Sequence, residues 1–340
     1  MRARRRLAAP WLRYALWLGL PLALAWVLRD VSLSELAESL RALTVGELAI
    51  LAAVNVLVVL TFSGRWWALL RERGLRLPYL ALSAYRLAAF AISYFTPGSQ
   101  FGGEPLQVHL VHHRHAIPLP AATASVVLDK TIELISNFVF LALGLAVVVR
   151  LGLQPTGSGV PLQALSLSLL VFPVAYLMAA RRGKRPGTWL AGRFGLRASG
   201  SGTQARIARA LEESEKEVAA AAQQAPGGIL AGAAFSALTW GLLLLEWALA
   251  LHFLEIDLSA GEVVAVVTAT RLALFVPLPG AAGALEASLL FAVTALGYSA
   301  AQALSLALVI RLRDVAFGGL GLWLGGWLAG GESRARPPSV

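Results

Sequence analysis

Long apolar runs recur along the whole chain, and they constrain its fold more than any other feature. A helix needs about 20 mostly apolar residues to cross the hydrocarbon core of a bilayer. The chain is 57% hydrophobic and 14% charged over 340 residues, more apolar surface than a soluble protein of this size can bury. We therefore predict an all-α polytopic membrane protein, with a single membrane domain over 1–340. Its six predicted full spans are 11–28, 47–64, 119–149, 160–180, 228–254 and 300–329.

Basic residues are concentrated in alternate loops between these runs. Most of the 29 Lys and Arg residues lie in the N-terminus, in 64–79, 109–118 and 181–226, or in the C-terminal tail. Because cytoplasmic loops are enriched in Lys and Arg, we expect both termini in the cytoplasm and the chain in the inner membrane. The N-terminal RARRR also resembles a signal peptide, but the polar loop after the first apolar run favours a retained anchor. Charge placed beside spans argues against a nucleic-acid partner.

Two apolar segments are interrupted by proline and glycine. The stretch FTPGSQFGGEPLQ joins 80–97 to 105–116, and PLPGAAG joins 261–278 to 284–297. Each piece is short for a span, and the two flanks of each pair lie on the same predicted side of the membrane. We predict two re-entrant helical hairpins, because irregular backbone at this depth is tolerated only beside protein or a water-filled cavity. Free N–H groups at such helix ends would attract anions.

Both breaks have the same signature, which indicates an internal repeat. A Pro-Gly pair is followed, seven residues after the proline, by an acid that a glycine precedes, and later by a base with an acid three positions on. In the first copy these residues are Pro97, Gly98, Gly102, Gly103, Glu104, Lys130 and Glu133. In the second copy they are Pro279, Gly280, Gly283, Glu286, Arg311 and Asp314.

An odd number of full spans separates the two breaks, so the second copy should be inverted relative to the first. Inverted repeats with broken helices are typical of secondary transporters. We take 80–149 and 261–329 as the repeat cores, and 181–226 as a cytoplasmic loop with a charged surface helix. The alternative is that the breaks are two unrelated loops.

Charged side chains inside the predicted membrane segments should pair or line a wet cavity. A charge at the bilayer centre costs at least about 2.5–3.5 kcal/mol. The i,i+3 spacing predicts ion pairs of Lys130 with Glu133 and of Arg311 with Asp314. Glu104 and Glu286 could bind cations, transfer protons or accept hydrogen bonds from backbone amides.

Other polar residues near the membrane have simpler interpretations. Arg86 and Arg271 each precede a break and could meet a phosphate. We interpret Arg65-Trp66-Trp67 first as a membrane-interface anchor. The histidine-rich segment HLVHHRH at 109–115 favours a basic interfacial patch over a metal site, because it lacks a patterned second set of ligands. Glu246 has no counterpart in the repeat and is either functional or a lone packing acid.

Four segments together resemble the lysylphosphatidylglycerol synthase transmembrane-region family of flippase-like membrane proteins, over roughly residues 10–330. These segments are PGSQFGGEPLQVHLVHHR, VVLDKTIELI, PLPGAAGALEASLLFAVTALG and RLRDVAFGGLG. The resemblance implies movement of a lipid or lipid-linked headgroup between leaflets. Many members have Arg where this chain has Gln107, and often Arg on the next span where it has Asp129-Lys130. These departures weaken the case for direct phosphate binding at the first break.

We therefore predict a flippase-like transporter of a phospholipid or lipid-linked headgroup, and not an enzyme. The expected partner is a membrane lipid, no cofactor is expected, and a homo-oligomer is compatible with the sequence. Two alternatives stay open. One is an integral membrane transferase whose acids and histidines do acid–base chemistry on a lipid-linked substrate. The other is a non-transporting envelope scaffold.

Overall fold

The described residues are mostly α-helical. The computed structural model describes residues 43–96, 102–153, 162–195, 202–276 and 278–334. These residues contain eleven α-helices, one 3₁₀ turn and no strand, which confirms the all-α prediction. The predicted span 11–28 and the pair Pro97-Gly98 lie outside the described residues.

Helices of similar length occur in the same order at the two ends of the described chain. The first group has 28, 17, 12 and 32 residues, and the second has 28, 14, 12 and 35. The first group is α1 (Val45–Glu72), α2 (Tyr79–Phe95), α3 (Glu104–His115) and α4 (Leu119–Arg150). The connecting helices are α5 (Leu162–Arg181), α6 (Pro186–Arg193) and α7 (Thr203–Gln224). The second group is α8 (Pro226–Phe253), α9 (Ala260–Ala273), α10 (Ala284–Ala295) and α11 (Ala300–Arg334).

Local signals explain where several helices begin and end. Thr44 caps α1 and Ser259 caps α9, each in a capping box with an acid three residues later. Pro226 is the first residue of α8, a position where its missing N–H costs nothing. Gly74, with φ of 76°, follows α1 in the left-handed conformation that commonly ends a helix.

Within the described residues, three helices are long and apolar enough to cross a membrane: α1, α4 and α8. Large apolar side chains are exposed on several helices, for example Leu143 (64%) and Phe172 (72%). Such exposure suits contact with lipid and is costly in water. The chain is therefore a multi-pass membrane protein, and the count of six full spans stays a prediction.

Each four-helix group has its own apolar core. Trp66, Leu82 and Val111 belong to a cluster built mainly from α1 to α4. Leu251 and Leu289 belong to a second cluster built mainly from α8 to α11. The two groups then pack reciprocally: α1 lies along α8, α2 along α11 and α4 against α9. This pairing is compatible with the predicted inverted repeat, which stays a prediction.

Glycine allows close contact between α2 and α11 and between α4 and α9. A Cβ atom on Gly321 of α11 would lie 2.1 Å from the carbonyl oxygen of Leu87 in α2. A Cβ atom on Gly144 of α4 would lie 2.0 Å from Oγ1 of Thr268 in α9. Small residues are used in this way where membrane helices approach closely, because dispersion contacts drive their association.

The connecting segment packs onto the first group. The alanine-rich face of α7 is buried, and the helix contacts α4 and α5. Glu215 of α7 accepts hydrogen bonds from the N–H groups of Gly187 (2.7 Å) and Thr188 (2.6 Å) at the start of α6. Glu212 and Lys216 form the expected i,i+4 pair on the exposed face, at 3.2 Å. The predicted surface helix is thus amphipathic, with one packed face.

We predict that Gly321→Ala lowers the free energy of unfolding by about 1–3 kcal/mol, because the new methyl group overlaps the backbone of α2. Thermal unfolding of the purified protein in detergent measures the change. Gly319→Ala is the matched control on the same helix, since nothing lies within 4 Å of its added Cβ. Equal melting temperatures for the two variants would contradict close packing of α2 on α11.

Candidate functional site

A cavity of about 330 Å³ lies between the two helix groups. Residues from both groups line it, and its wall mixes charged with large apolar side chains. The charged residues of the lining are Arg65, Arg86, Glu104, Asp129, Lys130, Glu133, Arg271, Arg313 and Asp314. The apolar residues include Phe62, Phe90, Trp240, Leu243, Trp247 and Phe317. Such a wall suits an amphiphile better than a purely polar or purely apolar ligand.

A buried ion-pair network forms the first-group side of the cavity. Nε of Arg65 lies 2.7 Å from Oδ1 of Asp129, and its Nη2 lies 2.8 Å from Oε2 of Glu133. Nη2 of Arg86 lies 2.6 Å from Oδ2 of Asp129. Nζ of Lys130 lies 2.9 Å from Oε1 of Glu133. Helices α1, α2 and α4 are thereby joined by charge-assisted hydrogen bonds.

Polar side chains of α2, α3 and α4 stabilise the backbone of the first break or the acid that binds it. The carboxylate of Glu104 accepts a hydrogen bond from the N–H of Gly102 (2.8 Å) and lies 3.2 Å from Nζ of Lys130. The N–H of Gly103 donates to Oγ of Ser93 at 3.0 Å. A Cβ atom on Gly103 would lie 2.2 Å from the carbonyl oxygen of Ala89, so glycine is needed for this close approach.

The second break repeats this construction. The carboxylate of Glu286 accepts a hydrogen bond from the N–H of Gly283 at 2.8 Å. Arg311 binds Glu286 with two nitrogens, at 2.6 and 3.0 Å, and donates to the carbonyl oxygen of Gly280 at 2.5 Å. At both breaks an acid therefore accepts from a glycine N–H and pairs with a base on the last helix of its own group.

A tyrosine connects the first group to the second break. The hydroxyl of Tyr94 in α2 accepts a hydrogen bond from Nη1 of Arg311 at 3.1 Å. Its ring leaves no room for a side chain at Gly280, which has φ of 54°. Tyr94 and Gly280 line the cavity, whereas Glu286 and Arg311 do not belong to its described lining. At the cavity wall, a residue of the first group therefore lies against the second break.

Arg271 is held differently from the other cations of the cavity. Its guanidinium carbon lies 4.9 Å from the ring centroid of Trp240, and that ring stacks on Phe140 at 3.7 Å. Arg313 pairs with Asp314 at 2.7 Å and also with Glu246. No carboxylate of the described residues lies within 4 Å of Arg271. The described part of the cavity thus presents one cation without an acidic partner.

The structure brings together most of the residues predicted from the sequence. Those lining the cavity are Arg86, Gly103, Glu104, Gln107, Lys130, Glu133, Arg271, Gly280 and Asp314. Gly102, Gly283, Glu286 and Arg311 hold the two breaks, and Pro279 begins the 3₁₀ turn. The predicted Lys130–Glu133 pair is confirmed at 2.9 Å. Of the three roles left open for Glu104 and Glu286, the structure shows hydrogen bonds accepted from backbone amides.

Two predictions at the breaks are wrong. Arg311 pairs with Glu286 instead of Asp314, and Asp314 pairs with Arg313. The i,i+3 spacing made the predicted pair reachable, but the carboxylate of α10 offers Arg311 two parallel hydrogen bonds. The N–H groups expected to be free for an anion are also occupied at Gly102 and Gly283, where a nearby carboxylate accepts them.

The membrane-anchor interpretation of Arg65 and Trp66 is also wrong. Arg65 is 1% exposed and Trp66 is fully buried. The predicted span 47–64 ended too early, because α1 continues to Glu72 and carries Arg65 into the ion-pair network. Nε1 of Trp66 donates to Oγ of Ser125 at 3.1 Å, so its polar end has a partner inside the protein. The sequence signal for this burial was the position of Arg65 inside one continuous helix, where it does not mark the end of a span.

The histidine-rich segment forms the C-terminal half of α3. His112 hydrogen-bonds to the carbonyl oxygen of Ile117 at 2.7 Å, and His115 to the hydroxyl of Tyr85 at 3.0 Å. These contacts tie two of the histidines to the first group. Glu246, left open above, pairs with Arg313. Tyr94 and Trp240 were missed, because no motif distinguishes an aromatic residue at a cavity from one in an apolar span.

Comparison with protein families identifies the chain. A model of the lysylphosphatidylglycerol synthase TM region matches residues 11–321. The chain belongs to this family. A search of curated proteins gives no match. The family-model match confirms the resemblance drawn from the four motifs. It places the chain among integral membrane proteins related to lipid metabolism or transport.

We predict that Asp129→Asn lowers the free energy of unfolding by about 3–5 kcal/mol, because it leaves two buried arginines with Glu133 as their one shared carboxylate. Thermal unfolding in detergent measures the loss. Glu212→Gln is the control on a partly exposed ion pair, where we expect about 1 kcal/mol or less. A similar loss in both variants would show that a buried ion-pair network contributes no more to stability than an exposed pair.

Proposed function

We propose that this protein moves a phospholipid or lipid-linked headgroup between membrane leaflets. The cavity between the two helix groups carries the proposal, because charged residues of both groups face it beside large apolar side chains. A headgroup could occupy the charged part while its acyl chains stay against apolar side chains or lipid. Membership of a lipid-related family agrees with this role.

The cavity would lower the main free-energy barrier to moving a headgroup across the bilayer. A charged group entering hydrocarbon loses its hydration at a cost of several kcal/mol. Fixed charges and hydrogen-bonding groups inside the protein replace part of that hydration. The three cations Arg65, Arg86 and Lys130 are balanced by three carboxylates, those of Asp129, Glu133 and Glu104. The network therefore needs no ligand to neutralise it.

The repeated helix groups supply a mechanism for exposing the cavity to each leaflet in turn. Transporters with inverted repeats alternate access by moving one part against the other around a central site. The reciprocal packing of α2 on α11 and of α4 on α9 provides two comparable interfaces for such a movement. The hydrogen bond from Arg311 to Tyr94 would be lost when the second break becomes accessible from the cavity. We place both termini on the cytoplasmic side of the inner membrane, following the loop charges.

Transport is favoured over the two alternatives by the pairing of charges. Every carboxylate that lines the described cavity has a cation within 4 Å, which suits a structural role better than proton transfer in a transferase. A scaffold gives no reason for Arg271 to face a cavity without an acidic partner.

We predict that Val59→Trp abolishes headgroup movement, because Val59 lines the cavity and an indole would fill part of it. The assay follows reporter phospholipids between the leaflets of liposomes that contain the purified protein. Val56→Trp is the control on the same helix, since Val56 is 51% exposed and outside the described cavity lining.

Movement that depends on wild-type protein, survives Val56→Trp and is lost in Val59→Trp would support transport through the cavity. Equal movement in both variants would contradict that route. A new covalent product seen by lipid mass spectrometry, without movement, would favour the transferase. Wild-type protein that moves neither phospholipids nor lipid-linked sugars would contradict the proposed function.

A further inference from the structure

Residues 181–194, which join α5 to α6 and include α6, form a positively charged surface away from the cavity. The segment has no acid, and its basic residues are Arg181, Arg182, Lys184, Arg185 and Arg193. All five are exposed. Arg185 pairs with Glu212 at 3.3 Å, whereas the other four form no ion pair with another described residue. This surface therefore favours an anionic partner.

Helix α6 presents large apolar side chains on the same surface. Trp189, Leu190 and Phe194 are 66%, 49% and 79% exposed. These positions and Arg193 share one side of the helix, because they are separated by one, three or four residues. The half-buried residues Gly187, Thr188 and Ala191 lie on the other side. Helix α6 is thus amphipathic, and its large apolar side chains face away from the protein.

The protein itself fixes the orientation of α6. The buried carboxylate of Glu215 accepts hydrogen bonds from the N–H groups of Gly187 and Thr188 and, at 2.6 Å, from the hydroxyl of Thr188. An acid in this position also stabilises the positive end of the helix dipole. A Cβ atom on Gly187 would lie 2.7 Å from Oε1 of Glu215, so glycine permits this close approach. Helix α6 is therefore held against α7 without help from a partner.

The preceding helix indicates which partner the surface meets. Helix α5 is apolar from Leu167 to Arg181, and it corresponds to the predicted span 160–180. The chain turns at Gly183, with φ of 72°, and α6 begins at Pro186 in contact with α5. Helix α6 should therefore lie near the level at which α5 leaves the bilayer. Tryptophan is enriched at that level, and basic amphipathic helices bury their apolar side there.

We propose that residues 181–194 form an interfacial anchor that binds the anionic surface of the cytoplasmic leaflet. Trp189, Leu190 and Phe194 enter the boundary between headgroups and acyl chains, and the basic residues contact lipid phosphates. Because α7 packs on α4 and α5, the anchor attaches the first helix group to this leaflet. The proposal uses no residue of the cavity and does not depend on headgroup movement.

A spin label tests whether the apolar side of α6 enters the bilayer. The sequence has no cysteine, so Phe194→Cys can be labelled alone. In bilayers that contain phosphatidylglycerol, we expect oxygen, which dissolves in lipid, to relax this label more than a water-soluble nickel chelate does. Glu213→Cys is the control at an exposed position of α7, where we expect the chelate to have free access.

Removing single charges tests the binding of anionic lipid. The ratio of lipid-buried to water-exposed label at position 194 should fall about fivefold in Arg182→Gln and in Lys184→Gln. This factor corresponds to about 1 kcal/mol for one basic residue near an anionic surface. The ratio should also fall in phosphatidylcholine alone and at about 1 M salt. Arg150→Gln, an exposed site at the end of α4, is the control with an equal loss of charge. Thermal unfolding checks that each variant is folded.

Equal access of the chelate to the labels at 194 and 213 would overturn the anchor. Equal burial of the label at 194 in both lipids, unchanged in Lys184→Gln, would overturn the binding of anionic lipid. A label shielded from both oxygen and chelate would overturn the proposal in favour of a protein partner on α6. A lipid-buried label in protein that moves no headgroup would retain the anchor and contradict the proposed function.

Discussion

The structure depends on one buried interaction, the pairing of Arg65 and Arg86 with Asp129 and Glu133. Unpaired charges at this depth would cost several kcal/mol each, so α1, α2 and α4 must bring them together. The paired residues line one end of the cavity. It also makes that wall polar without a net charge, because Lys130 and Glu104 add one further charge of each sign to the two arginines and two acids.

The two breaks show how irregular backbone is stabilised next to this network. At each break a carboxylate accepts a hydrogen bond from a glycine N–H and binds a base on the long last helix of its group. The N–H groups of Gly102, Gly103 and Gly283 are therefore satisfied by side chains and do not have to bind a ligand. This leaves ligand binding to the groups that the pairs do not use. Arg271 is the charged one, and it comes from the second helix group.

Much of the fold could be predicted from the sequence because its signals are local. The apolar run 119–149 corresponds to Leu119–Arg150, and Pro and Gly residues mark the ends of α2, α3, α9 and α10. The charge partners could be predicted only where they lie on one helix, as for Lys130 and Glu133. Arg65 and Arg311 were assigned wrongly because their partners lie on other helices, and spacing along the chain does not contain that geometry. The unpaired state of Arg271 depends in the same way on how α4, α8 and α9 pack.

Accessibility of the cavity from the two sides of the membrane tests the central claim most directly. The sequence has no cysteine, so single cysteines can be introduced without a background. Asn137→Cys lies in the cavity, and we expect Leu143→Cys, at an exposed position of the same apolar helix, to face lipid. In sealed vesicles of either orientation, a charged thiol reagent should label Asn137→Cys from both sides and leave Leu143→Cys unlabelled. Labelling of Asn137→Cys from one side alone, or from neither, would contradict a headgroup path through this cavity.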